Sequence, residues 1–213
     1  MIIEFFGPPG SGKTTIAQQL ALRLKKEYIA LAGRSEKRLY LWCSLTRSPG
    51  RFFWLLIKTL WSGAHSWALW WHKLFLLSEH LAVNEKAWRL GRRGSVILDG
   101  GLTQYLLTLH ERSASEVELA TYVGRCLDCQ VLVIVSAPEP LRSERMRRRG
   151  RFPRAGLSED HQAWQQQLGR QTESLRSFFD AKPVAGLLVL VFDSSLEPAE
   201  QIVAKLKGEI EPV

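Results

Sequence analysis

The sequence is poor in the residues that build disulfide-rich or metal-bound folds. Only three of its 213 residues are cysteines, Cys43, Cys126 and Cys129, and this small, odd number argues against a disulfide framework and indicates a reducing compartment. Cys126 and Cys129 form a C-x-x-C pattern, but no second pair accompanies them, which argues against zinc binding and redox chemistry. We therefore expect three ordinary buried thiols.

Long apolar runs are also missing. The sequence has no run of about eighteen uncharged apolar residues, which argues against a membrane-spanning helix. It begins directly with a predicted strand, which leaves no room for a secretion signal. It also lacks internal repeats and low-complexity linkers, so the 213 residues are expected to form a single domain with a cytoplasmic location.

Acidic residues are outnumbered by basic ones. The sequence has 29 Lys and Arg residues against 21 Asp and Glu residues, a net charge of +8. This favours partners that carry negative charge, such as nucleotides, other phosphates, nucleic acid or an anionic membrane surface. The excess is uneven, because seven arginines fall within thirteen positions: Arg142, Arg145, Arg147, Arg148, Arg149, Arg151 and Arg154.

A glycine-rich segment near the start is the most specific motif. It reads Gly7-Pro8-Pro9-Gly10-Ser11-Gly12-Lys13-Thr14 and matches the phosphate-binding pattern G-x-x-x-x-G-K-[ST]. The apolar segment 2–6 precedes it as a buried parallel strand, and apolar residues at helical spacing follow it from Thr14 to about Glu27. Strand, loop and helix are the context that the motif requires. The alternative is a glycine-rich turn that binds nothing.

The residue types in this loop suit a nucleotide. Glycine at positions 7, 10 and 12 allows backbone conformations in which successive N–H groups converge on phosphate oxygens at a helix N-terminus. Lys13 is expected to reach the β- and γ-phosphates, and the Thr14 hydroxyl to bind Mg²⁺. Thr15 is well placed to bond a phosphate too. The loop as a whole is thus the predicted ATP site.

The order of the predicted elements indicates the fold class. The predicted strands are 2–6, 38–43, 95–99, 130–135 and 186–192; residues 38–43 are preferred over 28–32 as the second strand because they alternate better. Helices are predicted between the strands, one of which opens with a capping box at Ser115-Glu116-Val117-Glu118. A closing helix is predicted from Pro198 to Lys207. Five strands alternating with helices predict an α/β fold, a doubly wound parallel five-stranded sheet with right-handed crossovers.

The composition changes between residues 51 and 91, where Trp and Phe are abundant. Two helices are predicted there, separated by Ser62-Gly63-Ala64, and the second ends at Gly91. Their apolar faces are broader than those of an ordinary surface helix. Core packing is the default explanation. The alternatives are an oligomer interface, a large aromatic substrate pocket, or a membrane contact in which Lys58, Arg51 and Lys73 face headgroups.

An acidic residue ends the third predicted strand. Asp99 follows an apolar segment and precedes Gly100-Gly101. A carboxylate at the C-terminal edge of a parallel strand, beside a phosphate loop, points into the crevice where such sheets bind ligands. Asp99 is therefore the candidate for a catalytic base or a Mg²⁺ partner. The alternative is an Asp that caps a turn.

The arginine-rich segment is suited to phosphoryl transfer. Arg142, Arg145 and Arg149 lie on one helical stripe, because their spacings are three and four. Arginines on a mobile flap stabilise the charge of a transferred phosphoryl group and exclude water. The alternative is an exposed basic helix that binds RNA, which is less favoured because no aromatic residues interleave with the arginines.

Three further segments resemble a known family. Residues 144–151, placed after a strand and Pro138-Glu139, look like the lid entry of thymidylate kinases and related nucleoside and nucleotide kinases. Residues 192–202 resemble the last strand and closing helix of these kinases, where the loop lies against the adenine of ATP. Residues 46–50, Thr-Arg-Ser-Pro-Gly, are similar to the T-R-E-P-G stretch of thymidylate kinases, with Ser48 in place of the acid.

The resemblance implies a P-loop NTPase fold and a kinase activity. Residues 1–213 would form one kinase-like domain, with a helical acceptor-side insertion at about 50–92 and a lid at about 142–156. The γ-phosphoryl of ATP·Mg²⁺ would move to a small acceptor, expected to be a nucleotide or nucleoside. Lys13, Asp99, Arg142, Arg145 and Arg149 would be catalytic, Thr14 and Asp99 would hold the metal, and residues 7–15 with Asp193 and Ser194 would bind ATP.

Two departures from the family leave alternatives open. In the family the third strand usually ends in Asp-Arg, and that Arg helps to hold the acceptor, whereas Gly100-Gly101 follow Asp99 here. The Trp-rich helices also occupy the region that builds the acceptor site. One alternative is a kinase of a sugar or another metabolite. Another is an ATPase or switch whose Trp-rich helices dock a partner or membrane. A homodimer or a peripheral membrane contact through these helices follows from the same feature.

Overall fold

The computed structural model describes residues 1–31, 33–63, 66–110, 112–150 and 161–210. Five parallel strands form one sheet in the order β2-β3-β1-β4-β5. The strands are β1 Ile2–Phe6, β2 Glu27–Ile29, β3 Val96–Asp99, β4 Val131–Ser136 and β5 Leu188–Asp193. The predicted α/β fold with a parallel five-stranded sheet is confirmed.

Helices connect the strands in the described part of the chain. They are α1 Lys13–Leu24, α2 Arg34–Arg47, α3 Pro49–Leu60, α4 Trp67–Gly91, α5 Leu102–Leu109, α6 Glu116–Cys126, α7 Glu139–Arg148, α8 His161–Ala181 and α9 Ala199–Ile210. The two helices predicted between 51 and 91 are thus confirmed. Residues 151–156 of the predicted lid lie outside the described residues.

The side chains of β1 alternate between two hydrophobic cores. Ile3 and Phe5 pack with α1 and α9 on one face of the sheet, while Ile2 and Phe6 pack with α4, α5, α6 and α8 on the other. Both faces are covered, which is why the strands read as continuous apolar runs. Helices on both faces leave the carboxyl edge of the sheet as the place where loops converge, and the candidate site lies there.

The second strand was predicted in the wrong place. Residues 38–43 lie inside α2, and the second strand is the three-residue β2, one of whose residues, Ile29, is buried. The alternation at 38–43 does not reflect a core face, because Leu39 and Trp42 are exposed on the helix. A three-residue strand is too short for its alternation to be recognised against a longer competing pattern.

A buried charge network fastens α2, α3 and α4 to the body of the protein. Glu85, whose side chain is fully buried, accepts hydrogen bonds from Arg47 and Arg89. Asp128, in the loop before β4, pairs with Arg51 and accepts from Asn84. Breaking such a pair leaves a charge unpaired in a low-dielectric interior, which costs about 3–5 kcal/mol for a fully buried group.

The membrane alternative placed Lys58, Arg51 and Lys73 against lipid headgroups, but two of these three side chains make contacts inside the protein. Lys73 is buried, and its Nζ donates to Ser62 Oγ at 2.9 Å and to Leu109 O at 3.1 Å. Arg51 forms an ion pair with Asp128. These assignments are corrected, and Lys58 is the cation of the three that is exposed.

The remaining sequence expectations concern thiols and membrane spans. Cys126 and Cys129 are buried, free thiols; burial raises the pKa of both, to about 12 for Cys126, so both are inert as nucleophiles. Cys43 is a free thiol that is only partly buried, so the expectation of a buried thiol is wrong at this position. Within the described residues no helix has the length and apolar character needed to cross a bilayer. The capping box predicted at Ser115 is present, with Glu118 as its partner.

Candidate functional site

The glycine-rich loop runs from the end of β1 to the start of α1 at the carboxyl edge of the sheet. At Gly7 a Cβ would lie 2.1 Å from Val135 O, and at Gly10, which has φ +82°, it would lie 2.7 Å from Arg142 O. Neither contact is sterically possible, and positive φ is accessible mainly to glycine. The loop is therefore packed backbone to backbone against β4 and α7, which leaves its N–H groups at the N-terminus of α1 for an anion.

Thr14 and Asp99 meet across the loop. The Thr14 hydroxyl donates a hydrogen bond to Asp99 Oδ2. The other carboxylate oxygen, Oδ1, is buried and has no hydrogen-bond partner among the described residues, and the same holds for Ser11 Oγ. A hydroxyl beside a carboxylate with an unsatisfied oxygen fits Mg²⁺, which binds to one or two protein oxygens while phosphates and water complete its octahedron. The structure brings together the two predicted metal residues.

A buried carboxylate supports the loop from behind. Glu4, in the middle of β1, accepts hydrogen bonds from Thr103 Oγ1 at 3.0 Å and from Gln104 N at 3.4 Å. Gln104 Oε1 in turn accepts from Gly7 N at 3.1 Å. Desolvation raises the pKa of Glu4 to about 7, against the lowering effect of these hydrogen bonds. The sequence did not single out Glu4, because a lone acid in an apolar strand carries no motif.

His80 is a further residue that the sequence analysis missed. Its Nδ1 lies 2.8 Å from Gly100 O, in the turn directly after Asp99. Desolvation, with a smaller contribution from the charge of Lys13, lowers the pKa of His80 to about 4, against the raising effects of the hydrogen bond to Gly100 O and the charge of Asp99. The imidazole is therefore neutral at pH 7, and Nδ1 is the protonated nitrogen that donates to Gly100 O. A polar residue on the buried face of α4 was the available signal.

Arg145 joins the glycine-rich loop to the loop after β5. Its Nη1 donates to Gly10 O at 3.2 Å and to Ser194 Oγ at 2.9 Å, and its Nη2 donates to Ser194 O at 3.1 Å. Ser194 Oγ donates to Ser11 O at 2.6 Å. Two of the predicted site residues, Arg145 and Ser194, are thus brought to the loop by direct hydrogen bonds.

A cavity of about 260 Å³ opens beside this junction. We call it the loop cavity. Arg149 reaches it from the end of α7, and Thr15 from the first turn of α1. Apolar contacts come from Ile16, Pro198 and Ala199. A flat group bound here would lie between an arginine and the β5–α9 loop, with the phosphate loop next to it.

Arg142 is held apart from these arginines. Its guanidinium is buried and donates to Ala137 O at 3.1 Å, to Gln165 Oε1 at 2.7 Å and to Gln165 O at 3.0 Å. It does not line the loop cavity. The hydrogen bonds to Gln165 connect α7 to α8, so Arg142 has the contacts of a residue that stabilises the packing of these two helices.

Asp193 makes local contacts. Its Oδ1 accepts hydrogen bonds from Ser195 N at 2.8 Å and Ser195 Oγ at 2.6 Å. This Asx-type arrangement shapes the turn after β5. Pro8 and Pro9 contribute backbone to the glycine-rich loop and, having no N–H groups, cannot donate to an anion themselves.

A second cavity, of about 560 Å³, lies between α2 and α4, and we call it the α2–α4 cavity. Its basic lining residues are Arg34, Lys37 and Arg38, and Phe75 adds an aromatic ring. Leu31 and Gly33, which follow β2, also line it. Ile29 pairs with Leu98 in the sheet, so this cavity opens at the same edge as Asp99.

A third cavity, about 640 Å³, lies at the opposite edge of the sheet. Met1, Gln130 and Leu187, which line it, all adjoin the amino ends of strands. In α/β sheets the ligand crevice lies at the carboxyl ends. We therefore place the functional site at the glycine-rich loop and the two cavities next to it.

Comparison with solved structures confirms the fold. No protein-family model matches the sequence, and no curated protein sequence matches it. Deoxyadenosine kinase from M. mycoides with dCMP and dCDP bound is 14% identical over 100% of both chains, with a TM-score of 0.55. The same kinase with dATP bound is 14% identical over 99% of this chain and 100% of the other, with a TM-score of 0.56. YorR from Bacillus subtilis, in complex with phosphorylated GDP, is 14% identical over 99% and 96%, with a TM-score of 0.51. This chain therefore has the fold of P-loop kinases.

Proposed function

We propose that this protein is an ATP-dependent phosphotransferase that transfers the γ-phosphoryl group of ATP to a small acceptor. The observation that carries the proposal is the junction at the glycine-rich loop, where Thr14 bonds to Asp99 on one side and Arg145 bonds to the loop on the other. Phosphoryl transfer is catalysed mainly by positioning and by positive charge around the phosphates. This junction supplies both.

Each part of the junction has a role in the proposal. The N–H groups of the loop and Lys13 hold the β- and γ-phosphates, and Thr14 and Asp99 hold Mg²⁺, which neutralises phosphate charge when bound. Asp99 orients the Thr14 hydroxyl, and its buried second oxygen is available to a water on the metal or to the acceptor hydroxyl. Arg145 and Arg149 stabilise the transferred charge, and the base of ATP occupies the loop cavity.

The proposed acceptor site is the α2–α4 cavity. Three basic side chains and one acidic one, Glu79, line it, and Glu79 pairs with Lys37. The remaining positive charge of Arg34 and Arg38 favours an acceptor that already carries a phosphate over an uncharged one. Phe75 provides a ring for a planar base, so a nucleoside monophosphate is the first candidate. In this arrangement the chain works as one kinase domain, with α2, α3 and α4 on the acceptor side and Arg145 and Arg149 of α7 on the lid side.

A second acceptor class rests on one specific observation. Gly100-Gly101 follow Asp99, so no arginine from this turn reaches a bound nucleotide. The same basic cavity suits a phosphorylated sugar. The two classes differ in whether they offer a base to Phe75.

The decisive experiment measures ATP turnover with a panel of acceptors. Purified full-length protein is incubated with ATP·Mg²⁺ and, in turn, nucleosides, nucleoside monophosphates, sugars and sugar phosphates, and the products are identified by mass spectrometry. We expect a phosphorylated product from a phosphate-bearing acceptor. Lys13→Ala should abolish it, and Lys25→Ala, an exposed lysine outside the loop, should leave it intact.

Two results would contradict the proposal. ATP hydrolysis that no acceptor changes would indicate an ATPase or switch. Product formation that survives Lys13→Ala would remove the phosphate loop from the mechanism. The acceptor site has its own test: Arg34→Gln with Arg38→Gln should raise KM for the acceptor while KM for ATP stays constant, and equal effects on both would contradict the assignment.

A further inference from the structure

The turn between α3 and α4 carries an unusual concentration of exposed apolar side chains. Twelve large apolar side chains are exposed in the described part of the chain, and six of them lie on α3, on the first turns of α4, or directly after α3. They are Phe53, Ile57, Leu60, Trp61, Trp67 and Trp71. We call them the hairpin surface. Trp61 is 85% exposed and Trp67 is 69% exposed.

The hairpin surface is made of one face of each helix. Phe53, Ile57 and Leu60 follow one another at spacings of four and three on α3, opposite the buried Leu55 and Thr59. Trp67 and Trp71 lie on α4, opposite the buried Leu69 and Lys73. Residues at these spacings share one side of a helix.

Aromatic contacts and buried polar groups hold this surface in place. The ring of Trp67 stacks on Trp70, with centroids 5.0 Å apart, and meets Trp71 edge to face at 5.6 Å. Beneath them Lys73 Nζ donates to Leu109 O, and the Thr59 hydroxyl shares a 2.7 Å hydrogen bond with Tyr105 Oη. The hairpin is therefore anchored to α5, and its tryptophans are presented outward by an ordered support.

Basic residues outnumber acidic ones in the part of the sequence that contains the hairpin surface. No acidic residue occurs between Glu36 and Glu79, whereas six basic residues do: Lys37, Arg38, Arg47, Arg51, Lys58 and Lys73. Glu36 pairs with Lys86 and Glu79 pairs with Lys37, at the two ends of this range. Arg47 and Arg51 pair with Glu85 and Asp128, and Lys73 is buried. The exposed members of the set are Arg38 and Lys58, and Lys58 lies on α3 beside Ile57. The hairpin surface therefore combines exposed indole rings with positive charge.

We propose that the hairpin surface binds the interface of an anionic lipid bilayer. Indole rings combine an apolar body with an N–H group and favour the headgroup region, and basic residues add attraction to anionic lipids. A second copy of the chain fits less well, because a two-fold interface centred on this surface would place the exposed Lys58 of each copy in or beside the same contact. The contact lies in the plane of the interface, since no described helix is long and apolar enough to cross a bilayer.

This inference is independent of the phosphotransferase proposal. None of the six residues lines the loop cavity or the α2–α4 cavity. They can therefore be changed without altering the residues placed at the phosphate loop. Membrane binding and ATP turnover are measured separately, so the failure of one proposal leaves the other standing.

Vesicle flotation of the full-length protein tests the proposal. Wild-type protein should float with vesicles of phosphatidylcholine and phosphatidylglycerol in equal parts, and much less with phosphatidylcholine alone. Trp61→Ser with Trp67→Ser should lower binding to the mixed vesicles roughly tenfold or more, since two large rings no longer insert. Lys58→Gln should lower binding to the mixed vesicles but not to the neutral ones.

The matched control is Leu22→Ser with Leu196→Ser. These side chains are 79% and 80% exposed, are as apolar as the hairpin residues, and lie outside α2–α4. The control pair should float like wild type. Trp61→Ser alone, in the turn after α3, provides a milder variant, and circular dichroism verifies that each variant is folded.

Three results would overturn the proposal. Wild type could bind neutral and mixed vesicles equally, or not at all. The Trp61 and Trp67 variant could float like wild type. Finally, wild type could be a dimer that this variant converts to a monomer, with no flotation of either; the hairpin surface would then be an interface between copies of the chain.

Discussion

Asp99 contacts Thr14 with one oxygen and leaves the other buried without a described partner. A buried, unsatisfied carboxylate oxygen costs free energy unless a ligand or water satisfies it. Asp99 Oδ1 is therefore available to bind Mg²⁺, a water on the metal or the acceptor hydroxyl when a nucleotide is present. Among single residues, we expect Thr14 and Asp99 to be those at which a change of one side-chain atom affects turnover most.

Replacing Asp99 with Asn should separate catalysis from folding. The amide keeps the size of the side chain but removes its charge, so we expect turnover to fall by about 100-fold or more, with little change in the free energy of unfolding. Steady-state kinetics and urea denaturation measure the two quantities. Asp180→Asn, at an exposed position on α8, is the control, and an Asp99→Asn enzyme with wild-type turnover would contradict the proposed role.

Glu4 should make the stability of the protein fall as pH rises. Its pKa is raised from 4.5 to about 7 by burial, so the folded state binds a proton more tightly than the unfolded state does. The contribution of Glu4 to the free energy of unfolding is at its maximum below pH 4.5. It is lost as the pH rises through 7, and the free energy of unfolding falls by about 3 kcal/mol in total. Glu4→Gln mimics the protonated form and should lack this loss.

Urea unfolding of wild type and Glu4→Gln at pH 5 and pH 8 measures the effect. His80 acts in the opposite direction, because its pKa is lowered to about 4 and its contribution is lost as pH falls below 6.5. Both proteins contain His80, so it cancels in the difference between them. A difference that stays constant between the two pH values would show that Glu4 is not protonated in the fold.

Helix α7 places arginines with different tasks on neighbouring turns. Sequence spacing put Arg142, Arg145 and Arg149 on one stripe, and the structure places Arg145 and Arg149 at the loop cavity but Arg142 in a buried contact with Gln165. The spacing of residues along a helix predicts only which side chains share a face of that helix. What each arginine meets depends on α8, whose position no local pattern contains.

Variants of α7 should separate these tasks. Arg142→Met leaves Gln165 and Ala137 O without their donors, so we expect a loss of about 2–4 kcal/mol in the free energy of unfolding. Arg145→Gln loses hydrogen bonds at a partly exposed position, so it should cost less stability than Arg142→Met but raise KM for ATP about tenfold or more. Arg148→Gln, at an exposed site, should change neither. Equal destabilisation by Arg142→Met and Arg145→Gln would contradict the distinction.

The elements that the sequence predicted well are those with strong local signals. The phosphate loop, the buried strands β1, β3 and β4, and the capping box at Ser115 all follow from residue types at fixed spacing. Strand β2 was missed because three residues carry almost no pattern. His80 and Glu4 were missed because their roles depend on contacts with Gly100 and Gln104, which are distant in sequence.

At the scale of the whole molecule, ligand binding should appear as added stability. A ligand that binds only the folded state at 100 times its Kd adds about 2.7 kcal/mol, which for 213 residues raises Tm by roughly 5–10 °C. We expect this shift with ATP·Mg²⁺ in a thermal unfolding assay. Lys13→Ala should abolish the shift and Lys25→Ala should preserve it. An unchanged shift in Lys13→Ala would show that the nucleotide binds elsewhere.

The bond between Ser194 and Ser11 has a consequence for the order in which the protein is made. The two residues are 183 positions apart, and Arg145 joins both of their loops. During synthesis the glycine-rich loop leaves the ribosome early. It lacks its hydrogen bond to Ser194 until β5 and the turn after it have emerged. Nascent chains that end before β5 should therefore fail to be retained on an ATP resin, and retention should begin abruptly once residue 194 and the turn after it are exposed.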